Sequence, residues 1–231
     1  DFFSGQLGLV WKVQPNGSVY VSYATSATPP GSMLDSNETN PLSGTPDRTG
    51  KILASDMEPE ETTNYELGTK WDVFNDRLSL TAAIFRTEKE NTRVQTDADT
   101  YENAGKTRVD GIELSASGKI TEQWQVFAGY TYLDGKQRDG GPLNKATDGN
   151  QLPNTPKNSA SLWTTYAITP KLTIGGGAFY VDEVFGNVAN STYVPAYTRY
   201  DAMASYKLTK NIDLQLNVQN LTDKTYYDKA Y

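Results

Sequence analysis

The chain has 231 residues, a net charge of −7, and neither Cys nor His. The missing Cys excludes disulfides and thiolate metal sites, and the missing His removes the commonest metal ligand and general base, so an enzyme is the least expected class. The acidic balance gives no basic footprint for nucleic acid. No stretch of 18 apolar residues is present to encode a transmembrane helix.

Apolar and polar residues alternate with a period of two along much of the chain, which is typical of strands. The cleanest example lies near the C-terminus, where Ile212, Leu214, Leu216 and Val218 alternate with polar residues. Several predicted strands exceed ten residues, which is long for a soluble protein and sufficient to cross a bilayer at a tilt. The ten predicted strands span residues 5–14, 18–27, 62–74, 77–92, 101–120, 124–135, 156–168, 171–184, 197–209 and 211–222.

Short and long connections alternate along the predicted strands. The five tight turns lie at residues 15–17, 75–76, 121–123, 169–171 and 210–211. The longer polar connections lie near residues 28–61, 93–100, 136–155 and 185–196. In an up-and-down antiparallel meander, all the short turns then meet at one rim and all the long loops at the other. This asymmetry is typical of an all-β transmembrane barrel of the bacterial outer membrane.

Aromatic residues lie near both ends of the predicted apolar faces. Trp124 and Tyr132 lie on one face, about 19 Å apart along the membrane normal if the strand rises about 3.3 Å per residue at a tilt near 45°. Such a spacing fits the two aromatic girdles of a membrane barrel. The alternative is that these are ordinary sheet aromatics, since Tyr and Trp favour strands. The other girdle candidates are Trp71, Tyr166 and Tyr206 at one rim and Tyr65, Tyr180 and Tyr200 at the other.

Five segments resemble motifs of one known family. They include an N-x-G-x-x-x-x-x-G-x-E-L strand at residues 103–114 and an N-L-x-D-x-x-Y segment at residues 220–226. The others are Tyr-Glu-Leu-Gly-Thr-Lys at 65–70, residues 77–85, and Phe-Ala-Gly-Tyr-Thr-Tyr-Leu-Asp at 127–134. Their common order over residues 60–231 resembles TonB-dependent outer-membrane siderophore receptors, and within them the catecholate siderophore receptor subgroup.

The resemblance implies a larger barrel than this chain can build. The family has a barrel of about 22 strands with a plugged lumen, and ten are predicted here. Residues 1–231 are therefore expected to form a partial TonB-dependent receptor β-barrel domain, without the plug domain and the final strand. Ten strands with two unpaired edges do not satisfy their backbone in lipid, so we expect no transport by this piece alone.

The resemblance also implies the function. The family binds a ferric siderophore at the extracellular loops and imports it with energy from the TonB complex, which would be contacted through the missing N-terminal region. Iron stays inside its chelator, so no catalytic residue, protein metal ligand or covalently bound cofactor is expected. Outer-membrane lipid and lipopolysaccharide are the other expected partners, and nucleic acid is not.

Cations and aromatic side chains suit an anionic, organic iron complex. The 28–61 connection has seven carboxylates against two cations, whereas residues 136–157 have four cations against two carboxylates and are the better candidate. For any one residue, the alternative is a solvated loop position or a lipopolysaccharide contact. The candidate ligand-binding residues are Arg93, Tyr101, Arg108, Arg138, Lys145, Tyr193, Tyr197 and Arg199.

Two other function classes remain possible from the sequence. A passive porin-like diffusion channel would have fewer strands and no plug, and a structural or adhesion barrel would have no transported ligand. A soluble β-rich module would instead bury its Leu, Ile and Val face against a second layer. One further motif, Gly175-Gly176-Gly177, lies inside a predicted strand and predicts a smooth patch of the barrel wall rather than a phosphate loop.

Overall fold

Ten long antiparallel strands and one two-stranded ribbon make up the fold. The computed structural model describes residues 4–29, 58–97, 100–227 and 229, with side chains described for all of these except 93–104. The strands are β1 Gly5–Gln14, β2 Gly17–Thr28, β3 Glu60–Val73, β4 Leu78–Asp97, β5 Thr100–Lys119, β6 Trp124–Asp139, β7 Asn158–Ala167, β8 Leu172–Val181, β9 Val184–Phe185, β10 Tyr193–Val194, β11 Tyr197–Lys207 and β12 Asp213–Val218. A short 3₁₀ helix covers Lys145–Thr147. No helix in these described ranges is long and apolar enough to cross a membrane.

The main sheet is an antiparallel meander with the order β1-β2-β3-β4-β5-β6-β7-β8-β11-β12. Each strand therefore pairs with its neighbours in the chain, and the β9–β10 ribbon lies within the connection between β8 and β11. All ten predicted strands and all five tight turns are confirmed. Because consecutive strands run in opposite directions, the tight turns share one rim and the long connections share the other. We call these the tight-turn rim and the loop rim.

One predicted connection is wrong. Residues 93–100 were expected to form a long polar loop, but β4 continues to Asp97 and β5 begins at Thr100. The hairpin continues because its two arms keep exchanging backbone hydrogen bonds across register shifts between Lys89 and Asp97. Each arm has 20 residues, about 65 Å at about 3.3 Å per residue, roughly twice what a tilted membrane strand needs. The β9–β10 ribbon was not predicted either.

The register sorts the side chains onto two faces of the sheet. Leu67 pairs with Ile84, and Ile84 pairs with Ile112, so the apolar residues of successive strands lie on one face. The residues that alternate with them along each strand lie on the opposite face, which carries polar residues such as Glu66 and Glu113. We call these the apolar face and the polar face. Trp124 pairs with Tyr166 on the apolar face near the tight-turn rim, and Tyr23 pairs with Tyr65 nearer the loop rim.

The apolar face has no second layer packed on it. In the described part of the chain, only Leu78, Val126 and Val184 are buried hydrophobic residues. By contrast, Ile84 is 54% exposed and Leu216 is 66% exposed. A soluble module would cover such a face with another layer, so that alternative is wrong for this chain. A continuous, uncovered aliphatic face on a sheet of hydrogen-bonded antiparallel strands is typical of a lipid-facing barrel wall.

Aromatic rings of the polar face lie flat on glycines of the neighbouring strand. Tyr20 covers Gly68, and its hydroxyl donates a hydrogen bond to Glu66 at 2.5 Å. A Cβ added to Gly177 would lie 2.5 Å from Cε3 of Trp163 and 2.8 Å from the Leu162 carbonyl oxygen. The glycine run at 175–177 is therefore not a bare smooth patch, because the Trp163 ring occupies the surface above Gly177.

Gly177→Ala should destabilise the barrel, and Gly176→Ala should not. The new methyl group at position 177 meets an aromatic ring and a backbone oxygen, and such overpacking costs about 1–3 kcal/mol. At position 176 the nearest atom, the Asp201 carbonyl oxygen, is 3.5 Å away, which is ordinary contact. Thermal unfolding of the full-length protein in detergent, followed by the heat-dependent shift in gel mobility, measures both. Equal melting temperatures for the two variants would contradict the packing of Trp163 on Gly177.

Candidate functional site

A cavity of about 330 Å³ lies on the polar face, where β6, β7, β8 and β11 approach the loop rim. Its position follows from the register, since Ser161 of β7 pairs with Gly129 of β6 and Phe179 of β8. Phe179 in turn pairs with Arg199 of β11. Small side chains of β6 and β7 leave the space, while larger side chains of β8 and β11 wall it. The residues that shape it are Gly129, Thr131, Ser159, Ser161, Phe179, Tyr197 and Arg199.

Arg199 is the cation of this cavity. Its guanidinium carbon lies 4.9 Å from the centroid of the Phe179 ring, a cation–π geometry. Its Nη2 donates to Asp201 Oδ2 at 3.0 Å, and its Nη1 donates to the Tyr226 hydroxyl at 3.2 Å. The Nε atom is buried without a hydrogen-bond partner among the described residues. Asp201 is only 7% exposed, so the pair is held against the sheet while part of the guanidinium still lines the cavity.

Tyr197 stands beside Arg199 and stacks on Tyr226. The two ring centroids are 4.5 Å apart and the planes differ by 19°. Because residues 197 and 199 are two apart on β11, both side chains lie on the polar face. The cavity therefore offers a guanidinium and two aromatic surfaces, Phe179 and Tyr197, at one level of the sheet.

Near the loop rim, Asp182 joins the start of β7 to the end of β8 on the apolar face, the side of the sheet opposite the cavity. Its carboxylate accepts hydrogen bonds from Asn158 Nδ2 at 2.9 Å and from the Tyr180 hydroxyl at 3.1 Å. The backbone NH of Glu183 donates to the same carboxylate at 3.2 Å. The hydrogen bond from Asn158, followed by those from Tyr180 and Glu183, holds the pKa of Asp182 below its ordinary value despite partial burial. These contacts tie the start of β7 to the end of β8.

Two long connections are joined at the loop rim, namely the β6–β7 loop (residues 140–157) and the β8–β11 loop (residues 182–196). The backbone NH of Gln151 donates to Asn190 Oδ1 at 2.9 Å, and Asn190 Nδ2 donates back to the Gln151 carbonyl oxygen at 2.8 Å. The backbone NH of Asn154 also donates to the Phe185 carbonyl oxygen at 2.8 Å. The two loops are thus held as one unit at the loop rim.

The structure does not bring all the predicted ligand residues together. Tyr197 and Arg199 line the cavity. Lys145 and Tyr193 are exposed, one in each of the joined loops, and Arg138 is exposed near the end of β6. Their roles remain predictions. The predicted residues Arg93 and Tyr101 have side chains outside the described part of the chain.

Arg108 lies on the other side of the wall. It pairs across the sheet with Glu88 and Lys136 on the apolar face, and its Nε donates to Asp110 Oδ2 at 2.9 Å. The four-residue spacing between Arg108 and Ile112 places both on one face. The sequence thus contained the signal that Arg108 lies on the face opposite Arg199.

No cluster of three or more Asp and Glu side chains that could hold a metal ion occurs in the part of the chain that the structure describes. The chemistry that the cavity offers is instead non-covalent. It combines one cation, aromatic surfaces, and hydroxyl groups of Thr131, Ser159 and Ser161. Such a combination of groups is chemically suited to an organic anion with aromatic character.

Comparison with known proteins places the chain in a family. Residues 1–221 match the family described as "TonB dependent receptor-like, beta-barrel". The chain belongs to the TonB-dependent receptor β-barrel family. The chain is accordingly part of an outer-membrane β-barrel.

Two curated relatives of this receptor barrel are named as siderophore receptors. The chain is 51% identical over 241 residues to the probable TonB-dependent siderophore receptor PiuA of Acinetobacter baumannii, covering 100% of the chain and 31% of the relative. It is 38% identical over 231 residues to the catecholate siderophore receptor Fiu of Escherichia coli K12, covering 98% of the chain and 29% of the relative. The chain thus spans about a third of the length of these relatives, which are named as receptors and not as enzymes.

Solved structures agree with the fold of this receptor barrel. The crystal structure of PiuA from Acinetobacter baumannii matches with a TM-score of 0.87 at 50% identity, covering 99% of this chain and 33% of that one. The closed form of Fiu from Escherichia coli K12 matches with a TM-score of 0.81 at 36% identity, covering 97% and 31%. In a barrel of this kind the apolar face lies toward lipid and the polar face toward the lumen, so the cavity opens into the lumen.

Three residues that contact Arg199 were not among the sequence candidates, namely Phe179, Asp201 and Tyr226. Phe179 and Asp201 carry a sequence signal, because each alternates with lipid-facing neighbours in a strand of this receptor barrel. Tyr226 lies in the N-L-x-D-x-x-Y segment, but its distance in sequence from Arg199 concealed the contact.

Asp182→Asn should remove an acid-sensitive contribution to the stability of this receptor barrel. Because the folded pKa of Asp182 is depressed, its stabilisation is present above the unfolded pKa of about 4 and is lost as pH falls through the folded value. Melting temperatures of full-length protein in detergent should therefore fall less between pH 6 and pH 3 in the variant than in the wild type. Parallel curves for the two proteins would show that Asp182 carries no such contribution.

Proposed function

We propose that the protein to which this chain belongs binds a ferric siderophore from outside the cell and imports it across the outer membrane with energy supplied by the TonB complex. The observation that carries the proposal is the lumenal cavity with Phe179, Tyr197 and Arg199 at one level near the loop rim. This position lies where an iron complex entering between the loops would first meet the wall of the lumen. The curated relatives named as siderophore receptors support it.

The chemistry favours a catecholate-type siderophore. A catecholate arm is an aromatic ring with anionic oxygens, so it can stack on Tyr197 or Phe179 while its charge lies beside Arg199. A cavity of 330 Å³ is at the lower end of the range for small-ligand sites, so it accommodates one arm of a chelate rather than the whole complex. The joined loops carry exposed Lys145 and Tyr193, which would contact the rest of the complex.

The N–H donors that Arg199 has beyond its ion pair with Asp201 also support an anionic ligand in the cavity. Arg199 shares its charge with Asp201 through one guanidinium nitrogen. Guanidinium carries five N–H donors in a planar fork, so one ion pair leaves donors for a second anion. Arg199 and its neighbours in the barrel wall would therefore recognise the ligand, while its transport would depend on the TonB complex.

Binding of a panel of ferric siderophores to the full-length protein in detergent tests the proposal. Tryptophan fluorescence quenching would be measured with catecholate, hydroxamate and carboxylate types side by side. Saturable binding of one class supports a receptor and identifies its substrate class. Absence of binding by every class, combined with open-channel conductance in a planar bilayer, would instead favour the porin-like alternative.

Arg199→Ala should weaken binding of the ferric catecholate by about tenfold or more, since hydrogen bonds to charged groups contribute about 1.5–3 kcal/mol. The matched control is Arg86→Ala, because Arg86 is also ion-paired, with Asp110 at 2.6 Å, but lies on the lipid-facing side of the wall. The control should bind like the wild type. Equal losses in both variants would point to general destabilisation and would contradict a role for Arg199 in the site.

We also propose that the lipid-facing side binds lipopolysaccharide. A groove of about 910 Å³ has Val21, Leu67, Ile84 and Ile112 along its surface and three tyrosines at its sides. Ion pairs lie at the end of this groove nearer the loop rim, where the outer leaflet headgroups would lie. They join Arg86 and Arg108 to Asp110, and Lys136 to Asp134. Acyl chains suit the groove, and phosphate groups suit the guanidinium groups.

The double variant Arg86→Gln and Arg108→Gln should lower the lipopolysaccharide that copurifies with the full-length protein by about twofold or more, because two bidentate phosphate donors are lost. Native mass spectrometry measures the lipid bound per protein. Arg77→Gln is the matched control, since Arg77 is ion-paired with Glu122 at the tight-turn rim. Unchanged lipid in the double variant would reject this contact.

A further inference from the structure

The N-L-x-D-x-x-Y segment at residues 220–226 forms a compact turn after β12. Asn220 and Asp223 both adopt left-handed backbone conformations, with φ of 53° and 48°. The Asn220 side chain closes the turn from both sides, because its Oδ1 accepts from the Lys224 backbone NH at 2.9 Å and its Nδ2 donates to the Lys224 carbonyl oxygen at 3.1 Å. Asn tolerates the left-handed region better than most residues, which explains its place in this turn.

The same turn is attached to β11 of the barrel wall. The backbone NH of Asn220 donates to Asp201 Oδ1 at 2.9 Å, and the backbone NH of Leu221 donates to the Tyr200 carbonyl oxygen at 2.7 Å. Asp201 therefore uses one oxygen for the turn and the other for Arg199. The turn and the cation of the cavity are thus connected through one nearly buried carboxylate.

The turn delivers Tyr226 to the two β11 residues that line the cavity. Its ring stacks on Tyr197 at 4.5 Å between centroids, and its hydroxyl accepts a hydrogen bond from Arg199 at 3.2 Å. Tyr226 itself is not among the residues lining the cavity. It therefore supports Tyr197 and Arg199 without occupying the space that a ligand would use.

We propose that Tyr226 is a positioning residue of the ligand site, held in place by the Asn220 turn. This inference rests on the proposed siderophore-binding function and extends it to a residue outside the cavity. An arginine and a tyrosine side chain have many rotamers, and fixing them before the ligand arrives lowers the entropic cost of binding. Tyr226 fixes both at once, one by stacking and the other by a hydrogen bond.

The position of Tyr226 also implies a preference between ligand classes. The two groups that it orients are an aromatic surface and a guanidinium, which together suit an aromatic arm carrying anionic oxygens. Loss of Tyr226 should therefore weaken a ferric catecholate more than a ferric hydroxamate, which has no aromatic ring at its iron-binding oxygens. A general disturbance of the barrel would weaken both alike.

The binding experiment uses the full-length protein in detergent with both ferric complexes. Tyr226→Ala should weaken catecholate binding by about tenfold, and Tyr226→Phe, which keeps the stack, by about threefold. Asn220→Ala should behave like Tyr226→Ala. The matched control is Tyr227→Ala, because Tyr227 is the next residue and is 64% exposed; it should bind like the wild type. Equal losses for both ligand classes, or no difference between positions 226 and 227, would overturn the proposal.

A second readout needs no siderophore. Phenylglyoxal modifies accessible arginines, and mass spectrometry of the digested protein reports its rate at Arg199. The rate should rise several-fold in Tyr226→Ala and stay unchanged in Tyr227→Ala. If the wild type bound no siderophore but this difference appeared, the proposed function would be rejected while the positioning of Arg199 stood. Identical rates in the three proteins would overturn the positioning itself.

Discussion

Backbone hydrogen bonding across neighbouring strands is the constraint on which the rest of this structure depends. Inside a bilayer no water is present to satisfy an unpaired NH or carbonyl group, so each strand must pair along its length. An antiparallel meander meets this requirement between neighbouring strands with short connections, and the ten-stranded order of this chain is of that kind, with one outer edge each on β1 and β12. Once the strands are paired, the two-residue period leaves no choice about which side chains lie toward lipid and which toward the lumen.

The separation of faces explains how one sheet can face lipid on one side and the aqueous lumen on the other. Ile84 and Arg199 belong to the same sheet, yet one is placed for hydrocarbon and the other for an aqueous lumen. The wall is one sheet thick, and its lumenal aromatic rings pack on glycines of neighbouring strands. Glycine provides the room for this packing, as at Gly68 under Tyr20 and Gly177 under Trp163. In the described strands, the lumenal surface is thus shaped by contacts between neighbouring strands.

Much of the fold could be predicted from the sequence, because strand period and turn composition are local properties. The β4–β5 connection could not, since polar residues such as those at 93–97 are compatible with both a loop and a solvated strand pair. In the site, residue parity alone would have separated Arg108 from Arg199. The contact of Tyr226 with Arg199 could not be found that way, because it depends on two left-handed residues, Asn220 and Asp223, that reverse the chain.

The register shifts in the β4–β5 hairpin separate a part of the hairpin whose length can change from a part whose length is fixed. They lie between Lys89 and Asp97, beyond the ion pairs that border the lipid-facing groove. A single inserted residue on the membrane side of them would exchange the lipid and lumen faces of the rest of the strand. Beyond them, the pairing already tolerates an extra residue. The end of the β4–β5 hairpin beyond these shifts can therefore change length while the wall beneath keeps its alternation of lipid-facing and lumenal residues.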